Sequence, residues 1–173
     1  GHRVRDLAGW DGDDYVMKVE GELEDACLFG ERIRLERTVS AKVGENRLQI
    51  EDTVSNAGFQ SSPLTTLYHV NAGFPLLDDG AELVTSAGEI SPYTEKAAAG
   101  LSEAARFTEP DVNFQEENFL HEMRADGEGR AWAAVINRGL GNGLGLYMTF
   151  SADTLPYLNE WKMMRARDYV VGF

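Results

Sequence analysis

The chain has 173 residues, with 29 acidic against 16 basic side chains and a net charge of −13. Hydrophobic residues make up 43% and charged residues 26%, the composition of one globular domain with a proper core and not of a disordered segment. The acidic balance argues against nucleic acid or an anionic membrane surface as partner, no apolar run reaches the ~20 residues of a bilayer span, and no basic-then-apolar leader opens the chain. A lone cysteine, Cys27, cannot make an internal disulfide. It reads as a small core residue in a reducing, cytoplasmic setting.

Alternation with period two dominates the first third. Tyr15, Met17 and Val19 alternate with Val16, Lys18 and Glu20, predicting a strand that ends near Gly21. The acidic residues Asp11, Asp13 and Asp14 just before it read as a solvated turn, because a calcium loop starting at Asp11 would need glycine where Val16 stands. Ile33, Leu35 and Arg37 alternate with Arg32, Arg34 and Glu36, and Thr38 to Ser40 continue the β-branched character. Gly44-Glu45-Asn46 then signals a turn before Leu48, Ile50, Asp52 and Val54, so the two runs predict an antiparallel hairpin with one dry face. Thr94 to Ala105 carries alanines but also Gly100, and predicts a loop with one short helical turn. Strands follow at Phe119 to Met123, Ala131 to Asn137, Leu144 to Phe150, Tyr157 to Lys162 and Asp168 to Val171. The glycine-rich stretch from Gly139 to Gly145 lacks the Lys-Ser/Thr ending of a phosphate loop, and its Asn142-Gly143 pair suits a hairpin turn. Many short strands without a repeat or linker predict an all-β, mostly antiparallel sandwich forming a single domain over residues 1–173. Gly1-His2-Arg3 at one end and the apolar Val170-Val171-Gly172-Phe173 at the other read as cut ends.

Two short stretches hold the candidate site. In Leu67 to Asp79, His69 and Asn71 are two apart, so a strand would turn both to one face, and Gly73 and Pro75 put them near its end. A histidine beside an asparagine can protonate a leaving oxygen or hold a sugar hydroxyl, whereas the bland alternative is a core histidine satisfied by backbone. In Asn159-Glu160-Trp161-Lys162, Glu160 and Lys162 share one face while Asn159 and Trp161 share the other. Trp161 suits stacking on a sugar ring or filling a core, and a Glu/Lys pair ordinarily marks a solvated face. Glu116 and Glu117 read likewise as a solvated edge. The three histidines, His2, His69 and His121, are too scattered in sequence to suggest a metal site, and nothing points to a cofactor.

The strings LYHVNAGFPLLDDGAEL, from Leu67, and LPYLNEWKMMRARDYVVGF, to Phe173, resemble uncharacterised bacterial relatives of aldose 1-epimerase, which have the galactose-mutarotase-like fold. The paired strands over residues 32–54 fit the same family. That resemblance implies a twisted β-sandwich binding a free sugar or sugar derivative on a concave face, without metal or cofactor. It also implies proton transfer: a histidine, matched here by His69, protonates the ring oxygen while a glutamate removes the anomeric hydroxyl proton. The family's glutamate follows a Tyr-Val-x-Gly-aliphatic stretch, so the base is expected immediately beyond Phe173. A second family histidine is matched by His2, and Asn71, Glu160, Trp161 and Lys162 are the expected sugar contacts. A non-catalytic carbohydrate-binding sandwich and a plain structural sandwich are the alternatives.

Overall fold

In the computed structural model, which describes residues 2–173, antiparallel pairing accounts for every strand contact between named strands. Contacts divide the chain into two units, residues 1–66 and 67–173.

The first unit is one sheet of β1 (His2–Asp6), β2 (Gly9–Asp11), β3 (Asp14–Ala26), β4 (Arg32–Lys42) and β5 (Leu48–Asn56). Its order is β1-β3-β4-β5, with β2 also on β3. The alternation seen in the sequence sorts its faces. Val19 faces Val39 and Val39 faces Ile50, while Leu23, Leu35 and Val54 form the next apolar row. Lys18, Glu20, Glu22 and Glu24 project the other way, where Arg32 reaches Glu24 at 2.7 Å and Arg5 reaches Glu20 at 2.9 Å. These partners, Lys18 first for Glu20 and Arg32 first for Glu24, hold both carboxyls below the usual range. β3 does not stop near Gly21 as expected. It runs to Ala26, because Gly21 is paired on both sides, with Val4 and Arg37, and the alternation resumes at Leu23. Cys27 lies just past the end of β3 and is an exposed free thiol, not a core residue.

One ion pair sits on the apolar side of this sheet. Arg37 is opposite Asp52 and grips it with two bonds, of 2.7 and 2.6 Å, and the aspartate side chain is 5% exposed. The fork matches the carboxylate geometry, and removing the acid takes away two charge-assisted hydrogen bonds at a nearly buried carboxylate. Asp52→Ala is expected to cost about 1–3 kcal/mol, read as a lower urea midpoint with an unchanged slope.

The second unit is a sandwich. Its larger sheet has the order β6-β13-β12-β9-β8, from β6 (Asn71–Gly73), β13 (Asp168–Gly172), β12 (Tyr157–Arg165), β9 (Glu117–Met123) and β8 (Ala87–Pro92). The smaller has the order β11-β10-β7, from β11 (Leu144–Ser151), β10 (Arg130–Asn137) and β7 (Glu82–Thr85). Leu158, Met164 and Val171 of the first meet Leu83, Ala133 and Val135 of the second, with Phe107 in the same cluster. Each such buried side chain of Val or Leu size contributes roughly 1.5–3 kcal/mol.

The expected helical turn is present as α1 (Glu95–Gly100), continued by a 3₁₀ turn at Leu101–Glu103. Thr94 caps it, its side-chain oxygen accepting from the Ala97 amide at 3.1 Å. Ala97 and Ala104 are buried with Phe119 of β9. The loop between β10 and β11 turns through positive φ at Gly141 and Gly143, whereas Asn142, expected to share that role, does not. Among the described residues no helix is long and apolar enough to cross a membrane.

Candidate functional site

The larger sheet of the second unit has an open face and a dry one, and its register assigns residues to each. Asn71 is opposite Gly172, Gly172 opposite Trp161, and Trp161 opposite Asn118. These four positions form one row across β6, β13, β12 and β9, and therefore share a face. The row extends to Tyr93, whose amide donates to the Asn118 carbonyl at 2.9 Å.

His69 belongs to the same face. It lies outside the three-residue β6, but Val70 exchanges both backbone hydrogen bonds with Phe173, at 2.9 Å each, and so carries the pairing one step further. The His69 ring and the Asn71 carboxamide both lie over Gly172: a Cβ there would come within 3.0 Å of His69 Cε1 and 3.0 Å of Asn71 Oδ1. His69 Nε2 and Asn71 Oδ1 are 2.7 Å apart. Both residues are exposed, so His69 is not a buried core histidine. Partly buried Trp161 is the next member of the row, and its indole N–H donates to Glu116 Oε2 at 2.9 Å. Asn159 neighbours Trp161 on this face and keeps a buried amide oxygen with no hydrogen-bond partner. Imidazole, carboxamides and an indole on one face give a proton donor, hydroxyl partners and a stacking plane.

The dry face carries the other half of the predicted set. Glu160 and Lys162 do share a face, but it is not solvated: they are 0% and 4% exposed. Register places Lys162 opposite Glu117, Glu160 opposite Phe119 and Leu158 opposite His121. Glu160 Oε2 lies 2.9 Å from His121 Nε2, and His121 Nδ1 is 3.4 Å from Thr85 Oγ1. The second carboxyl oxygen of Glu160 has no partner. Burial pushes the Glu160 carboxyl up, with the His121 hydrogen bond and the Lys162 charge acting against it. Lys162 donates to the Glu103 carbonyl at 2.7 Å and sits 5.7 Å from the centre of the Phe107 ring. Burial pushes its ammonium down, while Glu160 and Glu117 oppose that. Glu117, expected on a solvated edge, is buried too, with Lys96 at 3.6 Å.

Of the predicted contacts, His69, Asn71 and Trp161 are thus together on the open face, while Glu160 and Lys162 point away from it with partners of their own. His2 begins β1 in the first unit, opposite Leu23, and is exposed. Among the described residues no three His, Cys, Asp or Glu side chains are grouped to hold a metal ion. Sequence reasoning placed Asn159 beside Trp161 but missed Asn118 and Gly172 on the open face and His121 on the dry one. The Asn118–Glu122 alternation could have separated Asn118 from His121, but nothing local says which face is covered.

The chain has an all-β, mostly antiparallel, mutarotase-like fold. It is similar, with a TM-score of 0.80 and 24% identity, to the crystal structure of a candidate aldose 1-epimerase from Klebsiella pneumoniae subsp. pneumoniae MGH 78578. The match covers 91% of this chain and 41% of that one, so the chain spans less than half of its neighbour's length. The chain belongs to the family described as Domain of unknown function (DUF4432), whose model matches residues 1–173. No curated protein matches it.

Proposed function

We propose that this chain carries the sugar-binding face of an aldose 1-epimerase-like protein, with His69 as the general acid at the anomeric centre of a free sugar. The observation that carries this is the exposed His69–Asn71 pair over Gly172, in one row with Trp161. A pyranose laid on the indole would present its oxygens to the imidazole and the carboxamides. Histidine is the side chain suited to donating a proton near neutral pH. The base is the carboxylate expected immediately after Phe173. Because Val70 pairs with Phe173, a strand continuing one residue further would set its side chain between His69 and Asn159, on their face. The partner is a small neutral sugar, with no metal, cofactor, nucleic acid or membrane required. A cytoplasmic location is part of the same proposal.

Binding is tested by adding a panel of aldoses to the 173-residue chain and following its amide and indole resonances. Shifts are expected around His69, Asn71 and Trp161. Trp161→Ala is expected to weaken the sugar about 5- to 10-fold, the worth of one aromatic contact. If no aldose moves these resonances, the proposal fails. A non-catalytic carbohydrate-binding module is the second reading, favoured by a row from Asn71 to Asn118 that carries no carboxylate, the neighbouring Glu116 being engaged by Trp161. A residue other than Asp or Glu following Phe173 would decide for it.

A further inference from the structure

A histidine acid has two nitrogens that could give up the proton. We propose that His69 reacts through Nδ1, its Nε2–H being tied to Asn71 in a slot that Gly172 leaves open, so that Asn71 and Gly172 are positioning residues. The assignment of the ligand as a sugar rests on the proposed function; the choice of nitrogen rests on the geometry.

A carboxamide oxygen can only accept, so Nε2, 2.7 Å from Asn71 Oδ1, is the protonated nitrogen of the neutral ring. Its lone pair is then on Nδ1. When the ring takes a second proton, Nδ1–H is the one not engaged by Asn71. Giving it to the sugar ring oxygen breaks the bond from that oxygen to C1, whose electron pair stays on the oxygen. The anomeric hydroxyl loses its own proton to the base and becomes the carbonyl. The imidazole returns to the tautomer that Asn71 already holds, without rearrangement.

Gly172 explains why the pair stays in place although both members are exposed. Its φ is not positive, and it sits in regular pairing between Asn71 and Trp161, so the backbone makes no demand for glycine. The demand is space. A Cβ would lie 3.0 Å from His69 Cε1, 3.1 Å from His69 Nε2 and 3.0 Å from Asn71 Oδ1, closer than real Cβ contacts normally come. A strand glycine of this kind marks a close approach by another group.

The test is long-range proton–nitrogen NMR on the 173-residue chain with labelled histidine, at a pH where the imidazole is neutral. Wild type is expected to show His69 as the single Nε2-protonated tautomer, and Asn71→Ala and Gly172→Ala each to give an averaged mixture. Adding Asn71→Ala to Gly172→Ala is expected to recover part of the melting temperature that Gly172→Ala loses, because the clash partner is gone. An Nδ1-protonated His69 in wild type, or an unchanged tautomer in Asn71→Ala, overturns the proposal even if Gly172→Ala does not fold. Aldoses are titrated in parallel, with about 2- to 10-fold weaker binding expected for Asn71→Ala. If the tautomers behave as expected and no aldose binds wild type, the sugar reading falls and the nitrogen assignment stands. If aldoses bind and the tautomers do not behave so, only the nitrogen assignment falls.

Discussion

On the proposed function, replacing His69 by Asn is expected to slow sugar ring opening by ~10²–10⁴-fold, the usual worth of general acid catalysis. Asparagine can offer a hydrogen bond to the ring oxygen but cannot transfer a proton to it. Binding should fall far less than turnover, since the Trp161 plane and the carboxamides of Asn118 and Asn159 are untouched. The melting temperature should hardly move, because His69 is exposed and its removal leaves no cavity. Polarimetry of anomer interconversion, beside a melting curve, separates the two roles. Unchanged turnover with a lowered melting temperature would discard the catalytic assignment and make His69 a structural residue.

Glu160→Ala is expected to destabilise the chain by on the order of 3 kcal/mol. It removes the 2.9 Å partner of a histidine that is 1% exposed and opens a cavity between the sheets. Glu160→Gln keeps the volume and a neutral hydrogen bond, and should cost much less. The glutamine variant also has a pH signature. Burial raises the Glu160 carboxyl in the folded chain, so the folded form holds its proton to a higher pH than the unfolded form, whose value is near 4.5. Its favourable contribution is therefore fully present below 4.5 and is lost as pH rises through the raised value. Glu20 and Glu24, held low by Lys18 and Arg32, slope the other way, losing their contributions as the pH falls. Glu160→Gln should thus flatten the decline of stability above 4.5 while leaving the more acidic limb alone. Urea titrations at a series of pH values measure both limbs, and parallel curves for wild type and variant would refute this account of the pair.

Much of the architecture was legible in the amino-acid order because strand periodicity is local. The runs from Ile33 to Val54 show a period of two over enough residues to reveal both hairpin strands and their apolar side. The same held for β10 and β11 around their glycine-rich loop. The apolar side of the first sheet is not dry as expected: Val19, Leu23 and Ile50 on it are 44%, 51% and 45% exposed. The strands that escaped notice were short or bordered by glycine: β1, β2, β7 and β8, of three to six residues. Their identity comes from the partner strand, and β6 exists because β13 offers it a free edge.

At the site, the sequence by itself determined that His69 pairs with Asn71 and that Glu160 and Lys162 turn away from Trp161, since two-residue spacing decides which side chains share a strand face. It could not say which face stays open. Only the tertiary structure decided that, by packing β7 and β10 against the face of β12 that bears Leu158 and Met164. That packing takes Glu160 and Lys162 out of water and gives them His121 and the Glu103 carbonyl as partners. Burial depends on which distant sheet arrives, and charged side chains tolerate it only where such partners arrive with it. The Gly172 clearance was equally invisible, because the His69 and Asn71 atoms it accommodates come from about a hundred residues away along the chain and meet it only through strand pairing.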